Sequence, residues 1–335
     1  MSTRVLIIAE IGSVHDGSFG NAKRLIELAK DVGADAVKFQ THIADAETTK
    51  DAPSSPYFKD ESRYEYFRRT GFMLEQWKKL KEHADGTGIE FLSSPFSEEA
   101  VDLLEKVGVA RYKVPSGEVT NLPLLEKIAA TGKPVILSSG MSSWEELDRA
   151  VETIRRGGND LTVLQCTSEY PCPPEQVGLN LLAEMRERYQ CPVGLSDHTM
   201  TLAAPIAAVT LGASVIEKHL TFSRHMYGSD AKHSLEPAEF RQMCEVIRAA
   251  EAMLHHPVDK SDASRFKNMK QTFEKSVAAL VPIKKGTTVT RAMLGIKKPG
   301  TGIPAARISD VIGTRATRDI PADTVMIPSD LQKFS

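Results

Sequence analysis

Short apolar runs alternate with amphipathic segments along most of the chain. The runs are Val5–Ile11, Ala36–Phe39, Glu90–Leu92, Ala110–Val114, Val135–Leu137, Leu161–Leu164, Pro192–Leu195 and Val215–Glu217. Most are continuous rather than alternating, as strands buried on both faces require. The segments between them repeat their apolar residues near every 3.6 positions, the signature of a helix with one buried stripe. They are Asn21–Val32, Leu74–Thr87, Ser97–Val107, Leu122–Ala130, Ser143–Arg155, Val177–Tyr189, Leu202–Leu211 and Pro237–Leu254. Ser97 reads as an N-cap, and Ser143 with Glu146 as a capping box. Eight such beats predict an α/β fold, a closed (β/α)₈ TIM barrel of about the usual ~250 residues. The runner-up is a doubly wound open sheet. That fold asks for a glycine-rich dinucleotide loop after the first strand, and Gly12, Gly17 and Gly20 are spaced wrongly for it.

Two stretches break the beat. Thr41 to Gly71 is a long polar and aromatic insertion holding Pro53, Pro56, Tyr57, Phe58, Tyr64, Tyr66 and Phe67; a connection of this length has a task or hides a short helix. After residue 258 the texture changes. Residues 259–276 read as a charged linker, and residues 277–335 as a small β-rich domain with strands at Val277–Val281, Thr288–Val289 and Thr324–Ile327. Within it Ile283-Lys284-Lys285-Gly286-Thr287 and Ile320-Pro321-Ala322-Asp323-Thr324 echo one another in spacing. About sixty residues is a marginal size for independent folding, so docking onto something larger is expected.

Composition narrows the class. The net charge of −2, with no basic stripe, argues against a nucleic-acid partner. No run approaches about eighteen apolar residues, so no membrane span is expected. Met1 to Arg4 leads straight into the first strand without the apolar core of a secretory signal. The four cysteines, Cys166, Cys172, Cys191 and Cys244, show no CxxC spacing. A cytoplasmic protein without a disulfide framework is expected.

In a barrel of parallel strands the chemistry sits at the C-terminal tips. Those tips are polar in all eight runs: Glu10; Lys38 and Gln40; Ser93 and Ser94; Lys113, then Ser116 and Glu118; Ser138 and Ser139; Gln165, Thr167 and Ser168; Ser196, Asp197 and His198; Glu217, Lys218 and His219. Lysines, hydroxyls and loop amides together suit a phosphate or phospho-carboxylate ligand. Two imidazoles at neighbouring tips suit a divalent ion with open positions. Each residue alone also has a bland reading, as a helix cap or an ion-pair partner. His15 and Asp16 read either as substrate contacts or as turn formers. His225 and His233 lie in a loop of undefined register. Tyr170, stiffened by Pro171, Pro173 and Pro174, reads as a pocket wall or a turn.

These motifs together carry a family likeness. Ala9-Glu10-Ile11-Gly12, Asp35-Ala36-Val37-Lys38-Phe39-Gln40, Ser94-Pro95-Phe96, Lys113-Val114-Pro115-Ser116-Gly117-Glu118, Gly194-Leu195-Ser196-Asp197-His198-Thr199 and Ile216-Glu217-Lys218-His219 stand in order along the chain. The chain resembles the sialic acid synthase family, enzymes that make nonulosonic acids, and its tail with Lys298-Pro299-Gly300-Thr301-Gly302 resembles that family's antifreeze-like (SAF) domain. The resemblance implies a homodimer with swapped C-terminal domains. It implies phosphoenolpyruvate and an N-acylated hexosamine, typically N-acetylmannosamine, as substrates, and Mn²⁺ or Mg²⁺ as cofactor. It makes His198 and His219 the metal ligands, and Glu10 the residue that orients the water. Lys38, Ser94, Lys113, Ser116, Ser138, Ser168 and Ser196 then meet phosphoenolpyruvate, and Gln40, Tyr170, Asp230 and Lys298 the sugar. Val14, Ser168 and Lys298 depart from the family's usual asparagine, asparagine and arginine, and Lys275 from an arginine. They leave the acceptor open between N-acetylmannosamine and a diacetamido-trideoxyhexose of the legionaminic or pseudaminic type. The alternatives are a 3-deoxy-octulosonate or heptulosonate phosphate synthase, which needs an extra site for the aldose phosphate, and a non-catalytic sugar-binding scaffold.

Overall fold

The computed structural model describes residues 4–53 and 61–334. It comprises two units, Met1–His256 and Pro257–Ser335. In the first, eight strands appear in chain order: β1 (Leu6–Gly12), β2 (Ala36–Thr41), β3 (Glu90–Pro95), β4 (Tyr112–Val114), β5 (Val135–Ser138), β6 (Leu161–Cys166), β7 (Val193–Asp197) and β8 (Val215–His219). Hydrogen-bonded neighbours run β3-β2-β1-β8-β7-β6-β5-β4, all parallel. The end strands β3 and β4 approach one another, so the sheet curls into a nearly closed TIM-like barrel rather than an open sheet. A helix follows each strand: α1 (Phe19–Asp31), α4 (Leu74–Thr87), α5 (Glu98–Val107), α6 (Leu122–Ala129), α7 (Trp144–Arg156), α8 (Leu181–Tyr189), α9 (Ala203–Thr210) and α10 (Pro237–His255). The Ser143–Glu146 capping box forms in both directions, at 2.8 and 3.3 Å. Ser97 accepts from the Ala100 amide at 3.1 Å. Among the described residues no helix is long and apolar enough to cross a membrane.

The insertion after β2 contains α2 (Ala44–Glu47) and α3 (Arg63–Thr70). Tyr64, Tyr66 and Phe67 pack with Ala44 into a small cluster of their own. Pro56, Tyr57 and Phe58 lie outside the described residues.

Strand periodicity organises the barrel interior. Ile8, Ala36, Leu92, Ile136, Leu164 and Val215 form one buried cluster, a floor inside the barrel. Side chains two residues further along a strand point the same way, one rung higher. Those six positions are Glu10, Lys38, Ser94, Ser138, Cys166 and Glu217. The intervening residues, such as Ile7, Val37, Leu137, Val163 and Ile216, face the helices and join the main core.

His15, in the loop after β1, takes the structural role. It is 2% exposed, its ring lies 4.7 Å from Phe72 and 5.9 Å from Phe39, and its Nδ1 accepts from the Gly17 amide at 3.1 Å. Burial, helped by the nearby charge of His42, pulls its pKa from 6.5 down to about 4. The unfolded chain therefore binds a proton between these values that the folded chain refuses. The His15 contribution is whole above pH 6.5 and falls away as pH drops toward 4, by about 3 kcal/mol across the window. His15→Phe should flatten this acid limb, measured by denaturant unfolding at pH 7 and pH 4.5. Parallel losses in both proteins would show that His15 does not set it.

In the second unit α11 (Lys267–Phe273) lies inside the stretch read as linker. None of its residues is buried: Met269 and Phe273, one turn apart on one face, are both exposed. Strands β9 (Ser276–Ala279), β10 (Leu294–Lys297) and β11 (Thr324–Val325) pair antiparallel in the order β10-β9-β11. The expected strand at Thr288–Val289 is only a bridge from Thr288 to Arg315. β10 was missed because Gly295 dilutes its β signal. The two echoing segments meet: Ile283 and Ile320 exchange both backbone hydrogen bonds at 2.8 Å. Gly286 and Asp323, three positions on in each, both adopt positive φ, +83° and +56°. A short helix, α12 (Ile308–Val311), completes the unit.

Candidate active site

A cavity of about 330 Å³ opens at the C-terminal ends of the barrel strands. Eleven of the fourteen residues singled out from the sequence line it: Glu10, Lys38, Gln40, Lys113, Ser116, Ser138, Ser168, Tyr170, Ser196, His198 and His219. They arrive from seven of the eight strands, because each strand sends its rung residue, or the loop just above it, into the same space.

The base of the cavity is ionic. Lys38 Nζ lies 2.9 Å from Glu10 Oε2 and 3.7 Å from Glu217 Oε1, and donates to Ser94 Oγ at 3.2 Å. Lys113 Nζ lies 3.4 Å from the same Glu217 oxygen and donates to Ser138 Oγ at 2.8 Å. Ser196 Oγ donates to that Glu217 oxygen, Oε1, at 3.2 Å. Burial alone would raise the Glu217 carboxyl, but Lys113 and Lys38 outweigh it and hold the group below the ordinary carboxylate range. Burial also works against both ammonium groups. For Lys38 the carboxylates of Glu10 and Glu217 win and its pKa is raised. For Lys113 burial wins and its pKa is lowered. Both lysines also line the cavity, where an anionic ligand can accept from their ammonium groups.

Above Lys113 three loops converge at Gly140. Its amide donates to Ser116 Oγ at 3.1 Å. A Cβ there would stand 2.4 Å from Ser168 Oγ and 2.5 Å from Ser116 Oγ, so only glycine lets the hydroxyls close in. The result is a cradle of hydroxyls beside an ammonium, suited to phosphate oxygens.

At the tips of β7 and β8 the rings of His198 and His219 lie 5.6 Å apart. His198 Nδ1 meets the Thr167 carbonyl at 2.8 Å, which in the neutral ring puts the proton there and leaves Nε2 as the lone pair. Burial presses against the His198 cation, but Cys166 Sγ at 4.0 Å outweighs it, so its pKa is raised and a metal ion must displace a proton. His219 is lowered by burial and is neutral. Its Nδ1 is buried without a hydrogen-bond partner. An orphaned imidazole nitrogen beside a second imidazole lone pair fits a divalent ion. Among the described residues no group of three or more His, Cys, Asp and Glu side chains gathers to hold a metal ion. Tyr170 stacks on His198 with ring centroids 4.1 Å apart, a wall of the cavity.

Two predicted residues of the barrel unit stand off the cavity wall, and Lys298 belongs to the second unit. Ser94 lies behind Lys38 as its hydrogen-bond acceptor. Asp230 packs against Gly12, where a Cβ would come within 2.3 Å of its Oδ2, and accepts from the Ser13 amide at 3.4 Å. Gly12 is needed there for that contact and for its φ of +53°. Lys298, in the second unit, holds its ammonium 5.2 Å from the Phe273 ring centre. Other tip residues turn outward by strand alternation: Lys218 pairs with Asp197 and the Thr199 carbonyl, and Ser93 pairs with Thr41 at 2.7 Å. The cup therefore holds two lysines, not three. His225 is exposed in its loop.

Several lining residues went unassigned in the sequence. Glu217 was readable as a tip; that it shares a face with His219 follows from their spacing of two. Cys166 is the rung above Leu164. His42, Arg63, Phe67 and Phe96 come from the insertion and the β3 loop, and nothing local marks them. A second cavity of about 540 Å³ adjoins the first through Met141, Cys166 and Ser168. Its buried polar wall is self-satisfied: Ser139 donates to Gln165 Oε1 at 3.2 Å and Gln165 to the Val177 carbonyl at 3.0 Å.

Comparison with known proteins accords with this geometry. Residues 25–259 match the model of the NeuB family, and residues 274–332 that of the SAF domain. The chain is 39% identical to an N,N'-diacetyllegionaminic acid synthase of Campylobacter jejuni subsp. jejuni, over 96% of this chain and 99% of the relative. It is 35% identical to the N-acetylneuraminate-9-phosphate synthase of Homo sapiens, over 96% of this chain and 91% of that one. The solved N-acetylneuraminic acid synthetase of Leptospira borgpetersenii superposes with a TM-score of 0.72 at 30% identity, covering 80% of this chain and 91% of that chain. With both domains matched in order and synthases aligned along nearly its whole length, the chain belongs to the NeuB family of synthases.

Proposed function

We propose that the enzyme condenses phosphoenolpyruvate with the open-chain aldehyde of an N-acylated hexosamine and water, giving a nonulosonic acid and phosphate. The observation that carries this reading is the pair of buried lysines around Glu217, at the base of a cavity walled by His198 and His219. Lys38 and Lys113 hold carboxylate and phosphate, with Ser116, Ser138, Ser168, Ser196 and the Gly140 amide completing the anion's hydrogen bonds. His198 and His219 hold Mn²⁺ or Mg²⁺, which supplies Lewis-acid polarisation of the aldehyde oxygen. Carbon three of phosphoenolpyruvate forms the new C–C bond to the aldehyde carbon. Water adds at carbon two, and the tetrahedral intermediate expels phosphate by C–O cleavage. Glu10 takes the proton of that water: its Oε1 accepts from Gln40 Nε2 at 2.8 Å and its Oε2 faces Lys38, so the carboxylate is held in one orientation.

Gln40, Tyr170 and Asp230 surround the sugar. Lys298, from the SAF domain of the partner in a swapped cytoplasmic homodimer, faces its acyl group as a point charge rather than a planar fork. The likeness to a diacetyllegionaminic acid synthase favours a diacetamido-trideoxyhexose over N-acetylmannosamine as acceptor. The test is phosphate release from phosphoenolpyruvate across a panel of N-acylhexosamines with Mn²⁺ present, with products identified by mass. Release is expected to need both metal and sugar, and to be fastest with the diacetamido acceptor. No release with any member would overturn the reading.

A further inference from the structure

We infer that His42, anchored by Glu47, is a positioning residue that fixes the Gln40 amide and through it the Glu10 carboxylate. The inference rests on the proposed role of Glu10. His42 follows β2 directly and is 8% exposed. Its ring is clamped between Phe67, with centroids 3.6 Å apart and planes 9° apart, and Phe96, 4.1 Å away at 24°. The stack fixes the ring plane, so its nitrogens have defined targets. Nδ1 meets Glu47 Oε1 at 2.8 Å and Oε2 at 3.0 Å. Nε2 meets Gln40 Oε1 at 3.0 Å. Gln40 Nε2 in turn donates to Glu10 Oε1 at 2.8 Å.

An amide has one accepting end and one donating end, and the two are nearly the same size. The Glu10 carboxylate, which only accepts, already favours the donating end of Gln40, and His42 adds a second hold on the same orientation. Reversed, Gln40 would set its oxygen against the Glu10 oxygen, with no proton between them. A proton on His42 Nε2 reinforces the orientation that donates to Glu10. Glu47 holds the ring's other nitrogen, so the imidazole is fixed at both ends. Glu10 is then tied at Oε1 by Gln40 and at Oε2 by Lys38, 2.9 Å away. Two residues brought in by α2 and by the turn after β2 thus reach the reacting carbons only through others.

The test is a double-variant cycle of His42→Phe and Gln40→Met, read as kcat and KM for phosphoenolpyruvate. Phenylalanine keeps the stack and removes the donor. His42→Phe is expected to lower kcat about 10- to 100-fold, the usual cost of losing an orienting partner, with little change in KM. In the Gln40→Met background it should cost nothing further, because the amide it orients is gone. Glu47→Gln, which still offers an oxygen to Nδ1, should retain activity. Multiplying losses in the double variant would overturn the inference. If His42→Phe does not fold, Glu47→Ala replaces it in the same cycle with the same criterion. A second reading is independent of the reaction: in ¹⁵N-histidine spectra, Gln40→Met should shift the His42 Nε2–H signal, and an unmoved signal would refute the contact. Inactive wild-type enzyme would defeat the proposed function while the spectra still judge the clamp.

Discussion

His219→Ala is expected to cut turnover by roughly 10³-fold or more, since Lewis-acid stabilisation is worth several kcal/mol and each ~1.4 kcal/mol is a factor of ten. The loss has a specific cause. His219 is one of two imidazoles assigned to the ion, it is neutral because burial lowers its pKa, and its Nδ1 has no hydrogen-bond partner. Alanine breaks no internal bond at that nitrogen, so the fold should survive, with the far-ultraviolet spectrum unchanged. Phosphoenolpyruvate, assigned to Lys38 and Lys113, should still bind in calorimetry. Phosphate release in metal-controlled buffer separates the outcomes: turnover like wild type would refute the ligand role. Exhaustive chelation of the wild-type enzyme should reproduce the variant.

Glu217→Gln should be the most damaging single change for stability among the cavity residues. Glutamine keeps the shape and removes the charge. Among the described residues Lys113 loses its only carboxylate within 4 Å, and Lys38 keeps Glu10 alone. Removing one partner from a buried ionic cluster costs about 3–5 kcal/mol, which for a unit of this size lowers Tm by roughly 6–15 °C. The substrate offers a second check. Phosphoenolpyruvate brings negative charge to the same lysines, so saturating amounts should raise the variant's Tm by more degrees than the wild type's. An equal or smaller rise would mean that Glu217 does not set the electrostatic state of the pair.

Much of this was legible before any coordinates. The βα beat follows from burial of a parallel sheet on both faces, so the barrel could be counted from apolar runs. The rung residues could be found as the polar positions that end those runs. What did not show was orientation. Lys218 and Lys113 look alike as strand-tip lysines, yet one faces Asp197 and the other the cavity, since neighbours on a strand point to opposite faces. His42, Phe67 and Phe96 carry no local mark because their meeting depends on how the insertion folds back. β10 escaped because its pairing with β9, rather than its own composition, makes it a strand.

The floor of Ile8, Ala36, Leu92, Ile136, Leu164 and Val215 has a consequence for traffic. A dry plug leaves the vessel open at one end, so everything enters and leaves past the same rim. The cations sit lowest and the histidines and Tyr170 stand beside the exit. In the proposed reaction the anionic partner would go in first, with the aldehyde arriving on top of it. Sequence of arrival would thus be written into six aliphatic side chains that touch neither substrate.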